Sequence, residues 1–222
     1  MDFGPRTPYD GAVRRALVRA ACSLLAVAAG AGGSVPALAG TSAVPVFTQR
    51  SPVWAHEPLG TDPIDTIGSS GCALTAVTMV QAAFGYQTNP HLLNQWLTEH
   101  GGYVENDAIL WRTAMGPTAG SVRLKWIHIP GIVPQLRWDD QDSSDRPPPA
   151  VIRQELGAGN LVIVEVRLHG NMHFVVLTGS AGPDFLINDP WYGDRTTLAR
   201  RYGPYETGVY SARVYYRVPS SS

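Results

Sequence analysis

The chain has 222 residues, of which 44% are hydrophobic and 16% are charged, so it is long and apolar enough for one packed domain. Its 17 basic and 18 acidic side chains nearly cancel. Because nucleic-acid binding needs a basic surface that neutralises phosphates, this balance argues against a nucleic-acid partner.

The first 39 residues have the pattern of a secretory signal peptide. Three arginines precede an apolar run over residues 20–31, and Ala37-Leu38-Ala39 offers the small residues that a signal peptidase reads. The run is shorter than the roughly 20 residues that span a bilayer, so we expect no stable membrane span in the mature chain. We predict a signal peptide over residues 1–39 and a secreted or cell-surface domain over residues 40–222. The pair Arg14-Arg15 leaves the twin-arginine export route open.

Beyond this segment the pattern predicts helices first and strands afterwards. Apolar residues at three- and four-residue spacing indicate a helix from Gly71 to Phe84, with Ser69 or Ser70 as its N-cap. Further helices are predicted from Asn89-Pro90, over residues 107–115 and over residues 150–156. Runs of β-branched and aromatic residues predict strands over residues 161–168, 174–178, 185–188 and 209–218. Helices followed by an antiparallel sheet give an α+β fold.

The cysteine count singles out Cys72. Cleavage after Ala39 would remove Cys22 and leave Cys72 as the one cysteine of the exported domain. A single cysteine cannot form an internal disulfide, so it would serve chemistry, form an intermolecular bond or lie buried and inert. We expect no cofactor. We also expect no metal site, because one cysteine cannot build a cysteine-rich zinc site and the aspartates lack calcium-loop spacing.

Cys72 falls at the start of the first strong helix, after the polar segment Ser69-Ser70-Gly71. Unpaired backbone N–H groups and the positive end of the helix dipole favour a thiolate at such a position. A cysteine packed as a small apolar residue is the common alternative. The helix-start position favours the reactive thiol.

A cysteine nucleophile needs an imidazole as ion-pair partner and general base. Of six histidines, His173 is the one that opens a strongly apolar strand, a position that fits a catalytic histidine and a hydrogen-bonded core histidine equally well. If residues 179–183 form the turn of a hairpin, Asp189 lies opposite His173 on the same face, with Cβ atoms about 4.5–5.5 Å apart. Its carboxylate could then fix the imidazole tautomer, and Asn188 is the second candidate for that role. A slip by one residue would break this pairing.

Four short segments resemble the bacteriocin-processing (double-glycine leader) peptidase-like family of papain-like cysteine peptidases, in its stand-alone exported branch. They are Gln49-Arg50, residues 67–76 around Cys72, residues 173–176 and residues 188–191. The resemblance implies a papain-like fold, in which a helical layer carries Cys72 and an antiparallel sheet carries His173 and Asp189. It implies that Cys72 is the nucleophile, His173 the general base and Asp189 its orienter. It also implies that Gln49 is the oxyanion-hole residue.

This resemblance implies hydrolysis of a peptide or amide bond in a peptide or protein substrate, through a thioester acyl-enzyme. Two alternatives remain. A transglutaminase-like acyltransferase would use the same triad and pass the acyl group to an amine. A non-catalytic cell-surface binding module would keep the fold and use an aromatic cleft built from Trp54, Trp111, Trp138 and Trp191. Competent residues at all four catalytic positions argue against that module.

Overall fold

A computed structural model describes residues 43–125 and 146–219 of the chain. The predicted signal peptide, the aspartates of residues 139–145 and Trp138 lie outside these described residues. Within them, no helix is both long enough and apolar enough to cross a membrane.

Helices dominate the first part of the chain and strands the second. The helices are α1 (Ile67–Ser70), α2 (Cys72–Ala83), α3 (Pro90–Glu99), α4 (Pro149–Gly157), α5 (Leu198–Tyr202) and α6 (Tyr205–Gly208), with a 3-10 helix at Thr113–Thr118. The strands are β1 (Tyr103–Val104), β2 (Ala108–Ile109), β3 (Val122–Lys125), β4 (Leu161–Leu168), β5 (Asn171–Ala181), β6 (Asp184–Asp189), β7 (Asp194–Thr197) and β8 (Ser211–Arg217). The order agrees with the predicted α+β fold.

Within residues 43–125 and 146–219, the main sheet has six strands in the order β3-β8-β4-β5-β6-β7, and every neighbouring pair is antiparallel. Both faces of this sheet carry apolar side chains, because alternate residues of a strand point to opposite faces. Phe174 and Val176 of β5 join the core with α2. Val175 and Leu177 join the core with α4 and α5. The predicted architecture, a helical layer on an antiparallel sheet, is confirmed.

The helix that carries Cys72 begins differently from the prediction. The serines predicted to cap it, Ser69 and Ser70, lie in α1 instead. Thr66 caps α1 through reciprocal hydrogen bonds with Ser69, so a short helix forms one turn earlier than expected. Gly71 then separates α1 from α2, and Cys72 is the first residue of α2. Cys72 therefore keeps its helix-start position, where backbone N–H groups lack partners within the helix.

The predicted helix over residues 107–115 is wrong. Glu105 and Asn106 adopt left-handed backbone conformations, with φ values of 51° and 77°, and turn the chain back on itself. Strands β1 and β2 therefore pair as a small antiparallel hairpin, and the 3-10 helix follows it. The turn puts Asp107 in the loop of that hairpin.

The register of the β5–β6 hairpin also differs from the prediction. Ile187 pairs with Leu177, whereas the predicted pairing of Asp189 with His173 would place Ile187 opposite Val175. The cause is a shorter turn at residues 182–183 and a bulge between Leu177 and Gly179. A shift by two residues keeps each side chain on its predicted face, because the side-chain period of a strand is two. The side chains predicted to share a face therefore still share it.

Candidate active site

Cys72 and His173 come from different layers of the fold and meet in one site. Cys72 begins α2, and His173 lies near the start of β5. The Cys72 thiol lies beside the His173 imidazole, close enough to raise its pKa, and both side chains line the same cleft. Both residues are buried, with 9% and 2% of their surfaces exposed. The structure thus brings the predicted nucleophile and the predicted base into contact.

Asp189 also reaches His173, but along a diagonal of the sheet. The observed register, continued to the end of β6, places Asp189 opposite Val175, two residues from His173. Such diagonal neighbours are within reach of long side chains. His173 Nε2 donates to Asp189 Oδ1 over 3.0 Å. Since Nε2 is engaged, Nδ1 is the ring nitrogen left available for the Cys72 thiol.

The fully buried Asp189 carboxylate accepts hydrogen bonds on both oxygens. Besides His173, Oδ1 accepts from the backbone N–H of Trp191 at 2.9 Å. Oδ2 accepts from the Tyr202 hydroxyl at 2.6 Å and from Arg201 Nη1 at 3.1 Å. Sequence reasoning missed Arg201 and Tyr202, because nothing in the local pattern of α5 distinguishes them from their neighbours.

The charges of the site follow from these contacts. Burial alone would lower the pKa of His173, but its hydrogen bonds with Asp189 and Cys72 raise that pKa to about 9. Burial alone would raise the pKa of Asp189, but the hydrogen bond and charge of His173 lower it, helped by Tyr202 and Arg201. At neutral pH the imidazole is therefore protonated and the carboxylate is ionised.

Gln49 is buried and lines the same cleft as Cys72. Its backbone N–H donates to the Pro190 carbonyl at 2.9 Å, and its Nε2 donates to the Gly68 carbonyl at 3.1 Å. Gly68 packs closely here, since a Cβ at this position would lie 2.7 Å from the Ala55 carbonyl oxygen. A side-chain amide has two N–H donors, so one is engaged and the second can serve a substrate oxygen.

A cleft of about 460 Å³ leads to the Cys72 thiol. Its walls come from the segment before Cys72, from the β1–β2 hairpin, from the β4–β5 turn and from Trp191. Trp111 also lines it, so two of the four tryptophans considered for an aromatic cleft are present in the walls. Asp107 adds a half-buried carboxylate to this lining. The volume suits a small segment of a substrate.

Asp62, Asp65 and Asp107 bring carboxylate oxygens within 4.8 Å of one another. Burial and the charges of the other two aspartates raise the pKa of Asp107. Asp62 Oδ1 accepts from the backbone N–H groups of Ile64 and Asp65 at 2.8 and 2.7 Å. Asp65 Oδ1 accepts from the Ser70 hydroxyl at 2.6 Å. These bonds tie the preceding loop to α1.

Asn188, the second candidate to orient the imidazole, lies elsewhere in the hydrogen-bond network. Its Nδ2 donates to the carbonyls of Val44 and Pro45, each at 3.1 Å. Asn188 therefore fastens the segment before the domain core to β6. The carboxylate that contacts the imidazole is that of Asp189.

A buried cysteine at a helix start lies beside a histidine, and an aspartate of the same antiparallel sheet bonds to that histidine, as in papain-like cysteine peptidases. The sequence model of the Peptidase_C39 like family matches residues 41–218. The chain therefore belongs to this family of cysteine peptidases.

Comparison with solved structures finds similarity to a Bacillus anthracis protein described as a C39-like peptidase. The two chains are 13% identical with a TM-score of 0.45, over 80% of this chain and 96% of that chain. No curated protein sequence matches this chain.

Proposed function

We propose that the protein is an exported cysteine peptidase that hydrolyses a peptide or amide bond through a thioester acyl-enzyme. Cys72 is the nucleophile, His173 the general base and acid, Asp189 the orienting carboxylate and Gln49 an oxyanion-hole donor. One observation carries the proposal. A cysteine and a histidine line the same cleft, and a buried carboxylate holds one nitrogen of the imidazole.

In the resting enzyme the shared proton lies on His173, because contacts with Asp189 and Cys72 raise the pKa of the imidazole to about 9 despite its burial. A cysteine acts as a nucleophile in its thiolate form, and a neighbouring imidazolium is a partner that stabilises this form. The place of Cys72 at the first position of α2 adds the positive end of the helix dipole.

Acylation begins when Cys72 Sγ bonds to the substrate carbonyl carbon and the C=O electron pair moves onto the oxygen. The backbone N–H of Cys72 and the second N–H of Gln49 Nε2 donate to this oxyanion. Collapse restores the C=O bond and breaks the bond to the leaving nitrogen, which takes a proton from His173 Nδ1. The products are a thioester on Cys72 and a free amine.

Deacylation reverses these roles with water. Neutral His173 removes a proton from a water molecule, whose oxygen bonds to the thioester carbon. The Cys72 thiolate then leaves, a carboxylic acid is released and the imidazolium–thiolate pair is restored. An amine in place of water would give the transglutaminase-like alternative, with an amide as product.

Alkylation of the full chain by iodoacetamide, followed by intact mass, tests the nucleophile. We expect Cys72 to react well below the pH range of an ordinary thiol, which has a pKa of about 8.5. His173→Ala should abolish this low-pH reactivity. Cys22→Ser, which removes the other cysteine and its adduct, is the matched control and should leave the pH profile of Cys72 unchanged. An ordinary thiol profile that His173→Ala leaves unchanged would refute the proposal.

A peptide library tests the reaction itself. We expect cleavage by the wild type, a transient covalent adduct by mass and on the order of 10³-fold less cleavage by Cys72→Ser. Added primary amine separates the two enzyme classes, because a peptidase still releases the free acid whereas an acyltransferase forms the amide. An activated Cys72 without adduct or cleavage would favour the binding module.

The proposal of export rests on the sequence pattern of residues 1–39, which is typical of a secretory signal peptide. Expression in a bacterial host and N-terminal sequencing of the extracytoplasmic fraction tests it. We expect Gly40 as the first residue. Replacing Arg14-Arg15 by two lysines should block export only if the twin-arginine route is used. A chain retained in the cytoplasm with Met1 intact would contradict the proposal.

A further inference from the structure

Two side chains at the end of α5 contact the triad carboxylate on the oxygen that His173 does not use. Tyr202 donates its hydroxyl proton to Asp189 Oδ2 at 2.6 Å, and Arg201 Nη1 donates to the same oxygen at 3.1 Å. His173 Nε2 occupies Oδ1. Both oxygens of the carboxylate are therefore hydrogen-bonded, and rotation of the carboxylate away from the imidazole would break hydrogen bonds at both.

We propose that Tyr202 and Arg201 are positioning residues, which hold Asp189 charged and aimed at His173 throughout the reaction. This inference rests on the proposed function above. Neither residue is part of the cleft lining, although the Tyr202 ring packs against the His173 ring with centres 6.0 Å apart. Both bond to Asp189, and the Tyr202 hydroxyl and the Arg201 guanidinium would act through that carboxylate.

The need for such residues arises because the charge balance of the site changes during the reaction. Asp189 is 0% exposed, and a buried carboxylate without a compensating partner is strongly unfavourable. While His173 is protonated, the imidazolium supplies that compensation. Once His173 has given its proton to the leaving nitrogen, it is neutral. Arg201 stays charged at every step, so Asp189 keeps a cationic partner and remains an acceptor for Nε2.

Arg201 is itself fixed by groups on the outer side of the site. Its Nη1 and Nη2 donate to Oδ1 and Oδ2 of Asp194 at 2.6 and 2.8 Å. Its guanidinium carbon lies 4.3 Å from the ring centre of Tyr192. Leu198 anchors the start of α5 in the core. The guanidinium thus bridges the buried Asp189 and the exposed Asp194, a geometry that its planar fork allows.

Tyr202 is suited to the same task because it remains a donor. Burial and the hydrogen bond to Asp189 raise the pKa of the Tyr202 hydroxyl, so it keeps its proton. Among the described residues, the titratable and charged groups around Asp189 come from β5, from the segment between β6 and β7, from β7 and from α5. They are His173, Tyr192, Asp194, Arg201 and Tyr202, with Cys72 of α2 beyond His173.

The pH profile of Cys72 alkylation by iodoacetamide tests the positioning role. Tyr202 and Arg201 lower the pKa of Asp189, so their removal lets the carboxylate take up a proton at a higher pH. We expect the acid limb of the profile to move up by about one pH unit in Tyr202→Phe, and further in Arg201→Ala. Arg201→Lys should fall between Arg201→Ala and wild type, because it keeps the charge without the fork.

Two matched variants serve as controls. Tyr205→Phe removes a buried hydroxyl that donates to the Pro147 carbonyl at 2.8 Å, away from the triad. Arg200→Ala removes one exposed arginine from the same helix. Both should leave the acid limb in place. Equal shifts of the acid limb in these controls would overturn the proposal. They would mean that the loss of any side chain of α5, or of any buried hydroxyl, is enough to move the limb.

A second measurement separates this inference from the proposed function. In a Cys72→Ala background, NMR can follow the His173 Nε2–H proton that bonds to Asp189. As the pH is lowered, this downfield signal should disappear when Asp189 takes up a proton. We expect the disappearance at a higher pH in Tyr202→Phe than in the parent. Absence of activated alkylation in wild type would defeat the proposed function, while this signal still decides the positioning role. A signal and an acid limb unchanged in Tyr202→Phe would overturn it. If Arg201→Ala does not fold, Tyr202→Phe and Arg201→Lys decide.

Discussion

The two halves of the candidate site are held in place by different forces. Cys72 is set by backbone and packing, because it follows Gly71, begins α2 and joins the apolar core of that helix. Asp189 is set by hydrogen bonds and charge, because both of its oxygens are bound by groups from β5, α5 and the segment after β6. The nucleophile half thus depends on local chain geometry, and the acid–base half on a long-range network.

This difference predicts how each half responds to mutation. In the acid–base half, a change of charge should alter the pH dependence of the reaction while the fold survives. In the nucleophile half, a change of shape should alter rate or stability with little effect on pH dependence. The predictions below test this division, beginning with the largest expected effect.

Asp189→Asn should produce the largest loss, on the order of 10³-fold in peptide cleavage at pH 7. Burial lowers the pKa of His173, and the hydrogen bond to Asp189 is the largest of the contributions that raise this pKa to about 9. Without the carboxylate that pKa falls, so activity should be lost on the alkaline side at a lower pH than in wild type. The measurement is the pH profile of kcat/KM.

Asp184→Asn is the control for this variant. It removes a carboxylate from the other end of β6, where Asp184 accepts from the backbone N–H groups of Phe185 and Ala199. We expect this change to cost stability and to leave the pH profile in place. A profile that moves equally in both variants would mean that the division between the two halves is wrong.

Gln49→Ala should lower peptide cleavage on the order of 10²-fold, because one oxyanion donor is removed. The alkylation of Cys72 by iodoacetamide forms no oxyanion, so its rate and pH profile should stay near those of wild type. Gln81→Ala is the matched control, since Gln81 is also buried and donates through Nε2 to a backbone carbonyl, that of Ala114 at 2.6 Å. Equal losses of cleavage and alkylation in Gln49→Ala would exclude the oxyanion role.

The same division explains what the sequence could predict. The helix after Asn89 was predictable because its cap is local: Asn89 accepts from the Leu92 backbone N–H at 2.9 Å. Cys72 could be singled out because its position at a helix start is also a local property. His173 and Asp189 could be paired because strand periodicity fixes faces, even though the predicted register was off by two residues.

The outer part of the acid–base half could not be predicted. Helix α5 is short, and Arg200 and Arg201 are adjacent residues of the same type, yet the tertiary fold turns Arg201 toward Asp189. Local patterns carry no information on which charge meets a buried carboxylate from another element. The β1–β2 hairpin was missed for a related reason. A left-handed turn is usually predicted from a glycine, and here the left-handed residue is Glu105.

Gly68→Ala should destabilise the nucleophile half by about 1–3 kcal/mol, because the new Cβ would lie 2.7 Å from the Ala55 carbonyl oxygen. Urea unfolding gives the change in the free energy of unfolding. The matched control is Gly157→Ala at the end of α4, where an added Cβ meets nothing within 4 Å. That control should be neutral or slightly stabilising. Similar losses in both variants would show that the close approach at Gly68 is not the cause.

Asp107→Asn should have the smallest effect. We expect the ratio of the Cys72 alkylation rates by iodoacetate and by iodoacetamide to change about twofold. Asp107 lines the cleft that leads to Cys72, so its charge should disfavour the anion iodoacetate relative to neutral iodoacetamide. The ratio of the two alkylation rates should therefore rise in favour of iodoacetate. Glu105→Gln removes an exposed charge from the same hairpin outside the cleft lining, and it should leave the ratio unchanged. A ratio that follows Glu105 as much as Asp107 would mean that overall charge, and not the cleft wall, governs access to the thiol.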